Sequence, residues 1–522
     1  MAGVMSRATS AAFAAHGAQS TLLAVDASRK EASLQLDPKQ RARMGQFFTP
    51  EPIATCMAGM FECSNSHVRI LDPGAGSGSL LAALVVTLCR RAVRPTAIDV
   101  TAYEIEPLLA GYLRETLERC RGVCEERGVS FDGRLVEGDF LEAGAGALGG
   151  NLLARGESTR FDCAILNPPY RKIRADSRER EQLRAIGLET TNLYTGFVAV
   201  AARLLAPRGE LVAITPRSFC NGPYFEPFRR YLLRQVRLRR IHVFDSRDQA
   251  FADDKVLQEN VIFHAVKGAE ESAEVVVSAS AGPGVAEVRM RRIAHEDVVP
   301  SHDRHAVIHI VPEEAGESTR TRINGLGGSI ADLGIAVSTG RVVDFRARDL
   351  LRAQPGPNTV PLIYPCHMRN GSVEWPNGAT RKPNALARGP GAQELVVPEG
   401  HYVLTKRFSS KEERRRIVAA VYDPARVRAG EVAFENHLNY FHAQGGGLPP
   451  ALARGLAAYL NSSIVDAYFR QFSGHTQVNA TDLRSLPYPA RTALVALGRR
   501  IGRAPLAQGD LDHLVEDSLF GG

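Results

Sequence analysis

The chain has 522 residues, of which 44% are hydrophobic and 23% are charged, and its formal net charge is +7. This length is sufficient for two or three domains with large cores, and the composition is that of a globular protein. No apolar run approaches the roughly 18 residues of a membrane-spanning helix, and the first residues lack the hydrophobic stretch of a signal peptide. The positive charge permits a nucleic-acid partner, and the excess of arginine over lysine favours phosphate and guanine contacts.

The eight cysteines are scattered along the chain without the paired spacing of a zinc site. Cys120 and Cys124 lie four residues apart on a predicted helix, and no second pair of ligands accompanies them. We therefore expect no metal site, and we expect a cytoplasmic protein with reduced cysteines.

Changes in composition divide the chain into five predicted segments. Residues 1–38 are predicted to be a poorly specified arm, and residues 39–268 a first domain that carries the chemistry. Residues 269–317 alternate in polarity and are predicted to be a strand-like connector. A second globular region is predicted over 318–490, and the last segment, 491–522, is predicted to be a helical tail.

A glycine-rich turn follows the first predicted strand of the first domain. The apolar stretch 68–71 leads into Asp72-Pro73-Gly74-Ala75-Gly76-Ser77-Gly78, and a predicted helix follows. Strand, glycine turn and helix form the first unit of a doubly wound α/β fold, and the glycines let the backbone approach a ligand. A dinucleotide fingerprint would require glycine at position 79 or 81, where Ser79 and Leu81 stand, and no P-loop sequence is present.

Carboxylates mark three successive turns of this predicted sheet. Asp72 would repel a pyrophosphate but attract an ammonium group, such as the amino-acid end of S-adenosylmethionine. Glu104 ends the second strand, where a carboxylate can accept hydrogen bonds from ribose hydroxyls. Asp139 follows the third strand, where it can accept from an adenine amine, with Phe140 beside the ring. Singly, Glu104 and Asp139 are better explained as solvated loop residues, but after the glycine turn they predict a nucleoside-containing cofactor.

The apolar strand 161–166 runs directly into Asn167-Pro168-Pro169-Tyr170. Two prolines fix the backbone and remove two N–H donors, so the Asn167 amide oxygen and the Pro168 carbonyl can both accept from one amino group. The Tyr170 ring offers a face to a planar heterocycle. The turn alone is equally consistent with an ordinary strand-to-loop connection. The cofactor turn upstream favours a site for an exocyclic amine.

The order of these motifs resembles that of gamma-class adenine-N6 DNA methyltransferases of type II restriction–modification systems. The motifs that carry the resemblance over roughly residues 39–265 are Gly-Gln-Phe-Phe-Thr-Pro at 45–50, Asp72–Gly78, Glu104, Asp139 and Asn167–Tyr170. Residues 338–341 and 473–483 are more weakly similar to elements of target-recognition domains. The implied fold is an α/β, Rossmann-like, S-adenosylmethionine-dependent methyltransferase sheet followed by a C-terminal α+β target-recognition domain.

The resemblance implies roles for the matching residues. Those implied to surround the cofactor S-adenosyl-L-methionine are Phe47, Phe48, Thr49, Pro50, Asp72, Gly74, Gly76, Glu104, Asp139 and Phe140. Residues 47–50 would close over the methionine end, and Asp72 with the two glycines would line the amino acid. Glu104 would bind the ribose, and Asp139 and Phe140 would hold the adenine. The residues implied to hold the target base are Asn167, Pro168 and Tyr170.

The residues predicted to contact DNA rest on weaker matches. They are Phe251, Arg341, Arg407, Asn436, Asn439, His475, Gln477 and Asn479. Phe251 lies between the predicted strands 240–244 and 260–264, where the family places an aromatic residue, although packing within its loop explains it equally well. Each of the others is individually better explained as part of a solvated loop.

The implied enzyme is a site-specific adenine DNA methyltransferase (EC 2.1.1.72), which transfers a methyl group to the N6 amine of an adenine flipped out of duplex DNA. Accepting both amine protons at Asn167 and Pro168 would expose the nitrogen lone pair, without a metal or a covalent enzyme intermediate. Base flipping costs about a few kcal/mol, and stacking on Tyr170 returns about 1–3 kcal/mol. The family also implies a cognate restriction endonuclease, encoded separately, and a monomeric enzyme.

Several alternatives share part of this pattern. RNA adenine methyltransferases use similar chemistry and remain open. Enzymes that methylate glutamine in release factors share the turn but lack a large C-terminal region, and cytosine-amine methylases more often have serine in place of Asn167. The intact Asn167 and Asp72 argue against a catalytically inactive DNA-binding module.

Overall fold

The computed structural model of the protein describes residues 2–148, 160–244, 259–268, 274–282, 288–301, 303, 305–310, 314–409, 413–472, 477–502 and 506–521. The chain divides into two compact units, Met1–Pro312 and Glu313–Gly522. Two of the residues predicted to contact DNA, Phe251 and His475, lie outside the described residues.

The first unit is built on a sheet with strand order β3-β2-β1-β4-β5-β7-β6-β8-β9. Its strands are β1 His67–Pro73, β2 Ala97–Glu104, β3 Ser130–Glu137, β4 Phe161–Leu166, β5 Leu205–Pro216, β6 Val236–Phe244, β7 Asn260–Lys267, β8 Glu274–Ser280 and β9 Val288–Ala294. Strands β1 to β5 run parallel, and β7 lies antiparallel between β5 and β6. The carboxyl ends of the first five strands therefore share one edge, where open α/β sheets bind ligands.

Helices cover both faces of this sheet. One layer contains α1 Ala2–Gln35, α3 Glu51–Ala58, α4 Ser79–Arg90 and α5 Pro107–Glu126, and the other contains α6 Phe140–Leu148, α7 Arg178–Ala185, α8 Leu193–Leu204 and α9 Glu226–Gln235. The short helix α2 Pro38–Met44 follows α1. Short helices occupy Arg217–Cys220, Pro223–Phe225 and His295–Val298. Alternate residues of β5 enter the two cores: Val212 and Ile214 face the layer of α1, whereas Leu211 and Ala213 face that of α8.

Two segments that the sequence analysis sets outside the first domain belong to the first unit. The arm 1–38 contains the long helix α1, whose buried side chains Leu22, Val25 and Ala32 recur at helical spacing against α4 and α5. The predicted connector supplies β8 and β9 to the sheet, because the alternating apolar residues of β8 are buried. None of the helices in the described parts of the chain has the length and apolar character to cross a membrane.

The second unit is an α+β assembly with two sheets, ordered β10-β20-β17-β18-β14-β13 and β11-β15-β12-β19-β16. Its strands are β10 Ala336–Thr339, β11 Leu351–Arg352, β12 Thr359–Ile363, β13 Met368–Arg369, β14 Ser372–Val373, β15 Ala385–Ala387, β16 Val396–Pro398, β17 Tyr402–Lys406, β18 Ala419–Tyr422, β19 Glu431–Phe434 and β20 Leu438–His442. An aromatic cluster of Tyr402, Tyr422, Phe434 and Tyr440 fills the core.

The helices of the second unit are Glu314–Asn324, Pro424–Val427, Pro450–Leu460, Ser463–Phe472, Ala480–Arg484, Arg491–Arg500 and Gln508–Leu519. Single 3-10 turns occupy Arg348–Leu350, Pro365–His367 and Gln393–Leu395. The segment predicted as a helical tail packs into this unit, because Gly455 and Gly498 let two helix backbones approach closely. A Cβ on Gly455 would lie within 1.9 Å of the Leu494 carbonyl oxygen.

Candidate active site

A cleft opens at the carboxyl edge of β1 to β4 and encloses about 960 Å³, including space open to solvent. Its walls come from the segment 44–49, the glycine turn and the ends of β2, β3 and β4. The predicted cofactor residues that line it are Phe47, Phe48, Thr49, Gly74, Gly76, Glu104, Asp139 and Phe140. Pro50 instead lies at the start of α3.

The glycine turn is fixed by Glu104. The backbone N–H of Gly76, which has a φ of +58°, donates to Glu104 Oε2 at 2.8 Å, and Oε1 accepts from Ile105 and Glu106 at 2.9 and 2.8 Å. Burial raises the pKa of Glu104, and these three backbone donors oppose the rise. A carboxylate offers about four acceptor positions, so the three backbone bonds leave Glu104 about one position for a ligand hydroxyl.

Asp72 is fully buried, and neither of its carboxylate oxygens has a hydrogen-bond partner among the described residues. Burial, and then the nearby Glu104 charge, raise the pKa of Asp72 well above its usual range. A buried unpaired carboxylate is strongly unfavourable. Asp72 does not line the cleft, whereas Gly74 and Ala75, which follow it, do. A cationic ligand group at this turn would give Asp72 the partner that it lacks.

The far end of the cleft is aromatic and apolar. The Phe140 ring lies 5.3 Å from both the Tyr103 and the Phe197 rings, and Ile105 lines the cleft although 53% of it is exposed. Asp139 Oδ1 accepts from the Leu141 N–H at 2.7 Å in the first turn of α6, which leaves Oδ2 for another donor. This end therefore suits an adenine ring.

Sequence reasoning missed three residues at this end of the cleft. Tyr103 and Ile105 flank Glu104, so their position at a strand end was a usable signal. Phe197 is a buried residue of α8, and no local feature of the sequence distinguishes it from other core residues.

The amide of Asn167 is held in one orientation by the segment after α2. Its Nδ2 donates to the Phe47 carbonyl oxygen at 2.8 Å and to Thr49 Oγ1 at 3.0 Å. Because a carbonyl oxygen only accepts hydrogen bonds, the nitrogen of the amide must face Phe47. Asn167 Oδ1 is buried and has no partner within the described parts of the chain. The turn thus presents an unused acceptor.

Tyr170 forms the aromatic wall of the same turn. Its hydroxyl donates to the Ile214 carbonyl oxygen at 3.3 Å, and its ring lies 5.2 Å from Phe47 and 6.0 Å from Tyr194. Burial raises the pKa of the Tyr170 hydroxyl well above its usual range, so the ring stays neutral. Pro168 is buried between Asn167 and this wall.

Gly45 connects the segment 44–49 to the turn Asn167–Tyr170 through a backbone hydrogen bond. Its carbonyl oxygen accepts from the Tyr170 N–H at 2.8 Å. Its φ is +67°, and a Cβ there would lie 2.8 Å from the Tyr170 backbone nitrogen. Both the positive φ and the close approach therefore require glycine.

We expect Gly45→Ala to lower the rate of the reaction at this cleft about 100-fold, since it separates the two backbones and displaces Phe47 and Thr49 from Asn167. The matched control is Gly128→Ala, because Gly128 has a φ of +66° but no atom within 4 Å of its Cβ position. Both variants carry the same backbone penalty of about 1–2 kcal/mol, so any further loss of thermal stability in Gly45→Ala reports the clash with the Tyr170 backbone. Equal activity of the two variants would contradict the role of Gly45.

Five of the predicted DNA-contact residues lie in loops of the second unit. These loops follow β10, β17 and β19 and precede the helix Ala480–Arg484. Arg407 Nη1 donates to the Asn436 carbonyl oxygen at 2.6 Å, and the Arg407 carbonyl oxygen accepts from Val478 N–H at 2.7 Å. Gln477 pairs with Phe408, and the Asn479 N–H donates to Asp482. Exposed Arg341 donates to the carbonyl oxygens of Glu394 and Val396.

Asn439 does not lie on the surface. It is fully buried, its Nδ2 donates to the Val478 carbonyl oxygen at 2.8 Å, and its Oδ1 accepts from Thr339 Oγ1 at 3.2 Å. Both ends of the amide are therefore occupied within the unit. This arrangement holds β10, β20 and the 477–479 loop together and leaves no face of Asn439 for DNA.

A metal is not indicated by the described side chains, since no group of three or more His, Cys, Asp or Glu residues among them is arranged as a metal site.

Comparisons with known proteins match nearly the whole chain. Family models described as N-6 DNA Methylase and Eco57I restriction-modification methylase match residues 34–108 and 129–251. The type II methyltransferase M.PstI of Providencia stuartii is 42% identical over 495 residues, which cover 95% of this chain and 96% of that protein. M.BsuBI of Bacillus subtilis is 42% identical over 503 residues, which cover 95% of this chain and 97% of that protein. A tRNA1(Val) (adenine(37)-N6)-methyltransferase of Porphyromonas gingivalis is 32% identical over 149 residues, 28% of this chain and 49% of that protein.

Proposed function

The chain belongs to the family of type II DNA methyltransferases of restriction–modification systems, and we propose that it methylates the N6 amine of an adenine at one specific site in double-stranded DNA. The observation that carries this proposal is the Asn167 amide, whose nitrogen is tied to Phe47 and Thr49 while its oxygen has no partner in the described chain. An acceptor held in this way suits an exocyclic amine.

The cofactor is S-adenosyl-L-methionine, which supplies the methyl group when bound. The unpaired Asp72 would hold its ammonium group, and the Glu104 carboxylate would accept from a ribose hydroxyl. Phe140, with Tyr103 and Ile105, would pack around its adenine, and Asp139 Oδ2 would accept from the adenine amine. The residues of the cleft therefore fit the cofactor in charge and polarity along its length.

Two acceptors would prepare the target amine for methylation. Asn167 Oδ1 and the Pro168 carbonyl oxygen would each accept one amine proton, which turns the nitrogen lone pair away from the purine ring. Fixed acceptors also stabilise the positive charge that develops on nitrogen, and orientation of the reacting groups contributes on the order of 7–11 kcal/mol. The Tyr170 ring would stack on the flipped base and offset part of the cost of flipping.

The second unit would supply the contacts that select the DNA site. The exposed or half-buried members of the predicted set are Arg341, Arg407, Asn436, Gln477 and Asn479. Asn439 is left out because it is buried and both its amide nitrogen and its amide oxygen are hydrogen-bonded within the unit, and Phe251 and His475 stay sequence predictions. In this proposal the enzyme acts as a cytoplasmic monomer, and a separately encoded cognate endonuclease cleaves the same site when it is unmethylated.

Arg341→Ala should weaken DNA binding about tenfold and lower the salt dependence of binding by about one counterion, because the Arg341 guanidinium would contact a phosphate. Titrations of duplex DNA at several salt concentrations measure both quantities. The matched control is Arg352→Ala, since exposed Arg352 also donates to two backbone carbonyl oxygens. Identical salt slopes for the two variants would remove Arg341 from the DNA-binding set.

The reaction is tested by incubating the protein with labelled S-adenosylmethionine and unmethylated duplex DNA, RNA or protein extract, followed by digestion to nucleosides or amino acids. Label in N6-methyladenine from DNA alone supports the proposal, and sequencing of methylated positions then identifies the site. Label in RNA or in protein glutamine would overturn the substrate, and label in N4-methylcytosine would overturn the base.

A further inference from the structure

The end of β5 carries a buried hydroxyl group to which no role has yet been given. Thr215 is 1% exposed, and its Oγ1 has no hydrogen-bond partner among the described residues. An unpaired buried polar group is unfavourable, and buried polar atoms without a partner are rare. A ligand that bonds this hydroxyl would remove the penalty.

The register of the sheet places Thr215 beside the target-base turn. Strands β4 and β5 are parallel, with Leu166 opposite Ala213. Continued two residues beyond the end of β4, this register would set Pro168 opposite Thr215 at the roughly 4.8 Å spacing of neighbouring strands. Thr215 therefore belongs to the strand next to the turn that carries the Pro168 carbonyl.

The side chain of Thr215 shares the face of the sheet that carries the aromatic wall. Alternate residues of a strand point to opposite faces. Ala213 belongs to the core cluster that contains Tyr194, and Tyr170 packs against that cluster. Thr215 continues the alternation on the same face. The Tyr170 hydroxyl donates to Ile214, the residue before it, so the wall and Thr215 are close neighbours.

A second unpaired group follows on the same segment. Asn221 is 6% exposed, and in the described chain neither atom of its amide has a partner. This segment also reaches the aromatic wall, since Ser218 Oγ lies 3.5 Å from Tyr194 Oη. Asn167 Oδ1 and Thr215 Oγ1 thus stand at the carboxyl ends of two neighbouring strands, and Asn221 follows the short helix after β5.

We propose that the Thr215 hydroxyl donates a hydrogen bond to a ring nitrogen of the target adenine, an inference that rests on the proposed function. N1 and N7 of the purine are acceptors that lie on either side of the carbon bearing the amine. With the amine held by Asn167 and Pro168, a donor on the neighbouring strand would fix the rotation of the ring in its plane. Thr215 is thereby a base-orienting residue.

Thr215→Val removes the hydroxyl and keeps the shape of the side chain, while Thr215→Ser keeps the hydroxyl. The substrate is an unmethylated duplex oligonucleotide that contains the enzyme's recognition site. On this substrate we expect kcat/KM of the valine variant to fall about 10- to 100-fold. Its affinity for S-adenosylmethionine should not change, and its melting temperature should stay equal or rise. The serine variant should stay within about threefold of wild type. Unchanged activity of the valine variant would overturn the contact.

Modified bases identify the atom without relying on a protein variant. The target adenine is replaced by 1-deazaadenine, which lacks N1, or by 7-deazaadenine, which lacks N7. The base that lacks the bonded nitrogen should slow the wild type as Thr215→Val does, and the two changes together should add nothing further. Independent losses for both bases would refute the contact. A wild type that does not methylate adenine in DNA would instead refute the proposed function itself.

Discussion

Replacing Asn167 by alanine is expected to lower methyl transfer by about 100- to 1,000-fold or more, because one of two fixed acceptors for the target amine is lost. Binding of S-adenosylmethionine should weaken only slightly, since Asn167 contributes to the cofactor cleft mainly through its bonds to Phe47 and Thr49. Single-turnover methylation and calorimetric titration with the cofactor measure the two quantities separately.

Two control variants separate the role of Asn167 Oδ1 as an acceptor from the role of Asn167 Nδ2 in holding the segment 47–49. Thr49→Val removes one partner of the Asn167 nitrogen but leaves Oδ1 in place, so its activity should fall much less, by about tenfold. Asn65→Ala removes an exposed amide that bonds Asp162 at the opposite end of β4 and should have no effect on activity. Equal losses of cofactor binding and of methyl transfer in Asn167→Ala would contradict the assigned role.

Asp72→Asn is expected to weaken S-adenosylmethionine binding by roughly 100-fold near neutral pH, because it removes one charge of a buried ion pair. The variant should nevertheless be at least as stable as the wild type without cofactor. Its neutral amide is easier to bury than the unpaired carboxylate of Asp72. Loss of ligand affinity without loss of stability is the result that separates a binding role from a structural one.

The pH dependence of stability follows from the raised pKa of Asp72. A carboxyl whose pKa is higher in the folded than in the unfolded chain contributes stability fully below its unfolded pKa of about 3.9. This contribution is lost as the pH rises through the folded value. The Asp72→Asn variant has no such loss. The difference between its melting temperature and that of wild type should therefore increase as the pH rises through the pKa of folded Asp72.

Cofactor affinity should show the opposite trend. In the proposed complex the ammonium group would pair with ionised Asp72, so wild-type affinity should rise with pH through the raised pKa, whereas that of Asp72→Asn should stay flat. The control is Asp99→Asn, which removes an exposed carboxylate that pairs with His67 on the same sheet. If Asp72→Asn bound the cofactor as tightly as wild type at every pH, Asp72 would be excluded from the site.

The residues that carry chemistry were accessible to sequence reasoning because they stand in turns at strand ends. The glycine turn, Glu104 and Asp139 each follow a predicted strand, and parallel strands bring such turns to one edge. The structure places them around one cleft with residues 47–49. The fold of this part is therefore predictable from the alternation of strands, glycine turns and helices.

The features that the sequence does not predict depend on contacts between residues that are far apart in the chain. The Asn167 amide is oriented by a carbonyl 120 residues away, and no local pattern reveals such a bond. The sequence predicts that Asn439 contacts DNA, yet its amide is buried and bonds the Val478 carbonyl oxygen and Thr339. Helix α1 was missed because small and polar residues separate its apolar positions, which only packing against α4 and α5 makes evident.

The bond between Asn167 Nδ2 and the Phe47 carbonyl has a thermodynamic consequence. The segment 47–49 lines the cleft, and the same amide carries the unpaired Oδ1 that would accept from the target amine. If the cofactor orders this segment, it also orders the acceptor of the base, so the two ligands share a coupling free energy. Such coupling is reciprocal: a tenfold gain in affinity for DNA on cofactor binding, about 1.4 kcal/mol, requires the same tenfold gain for the cofactor on DNA binding.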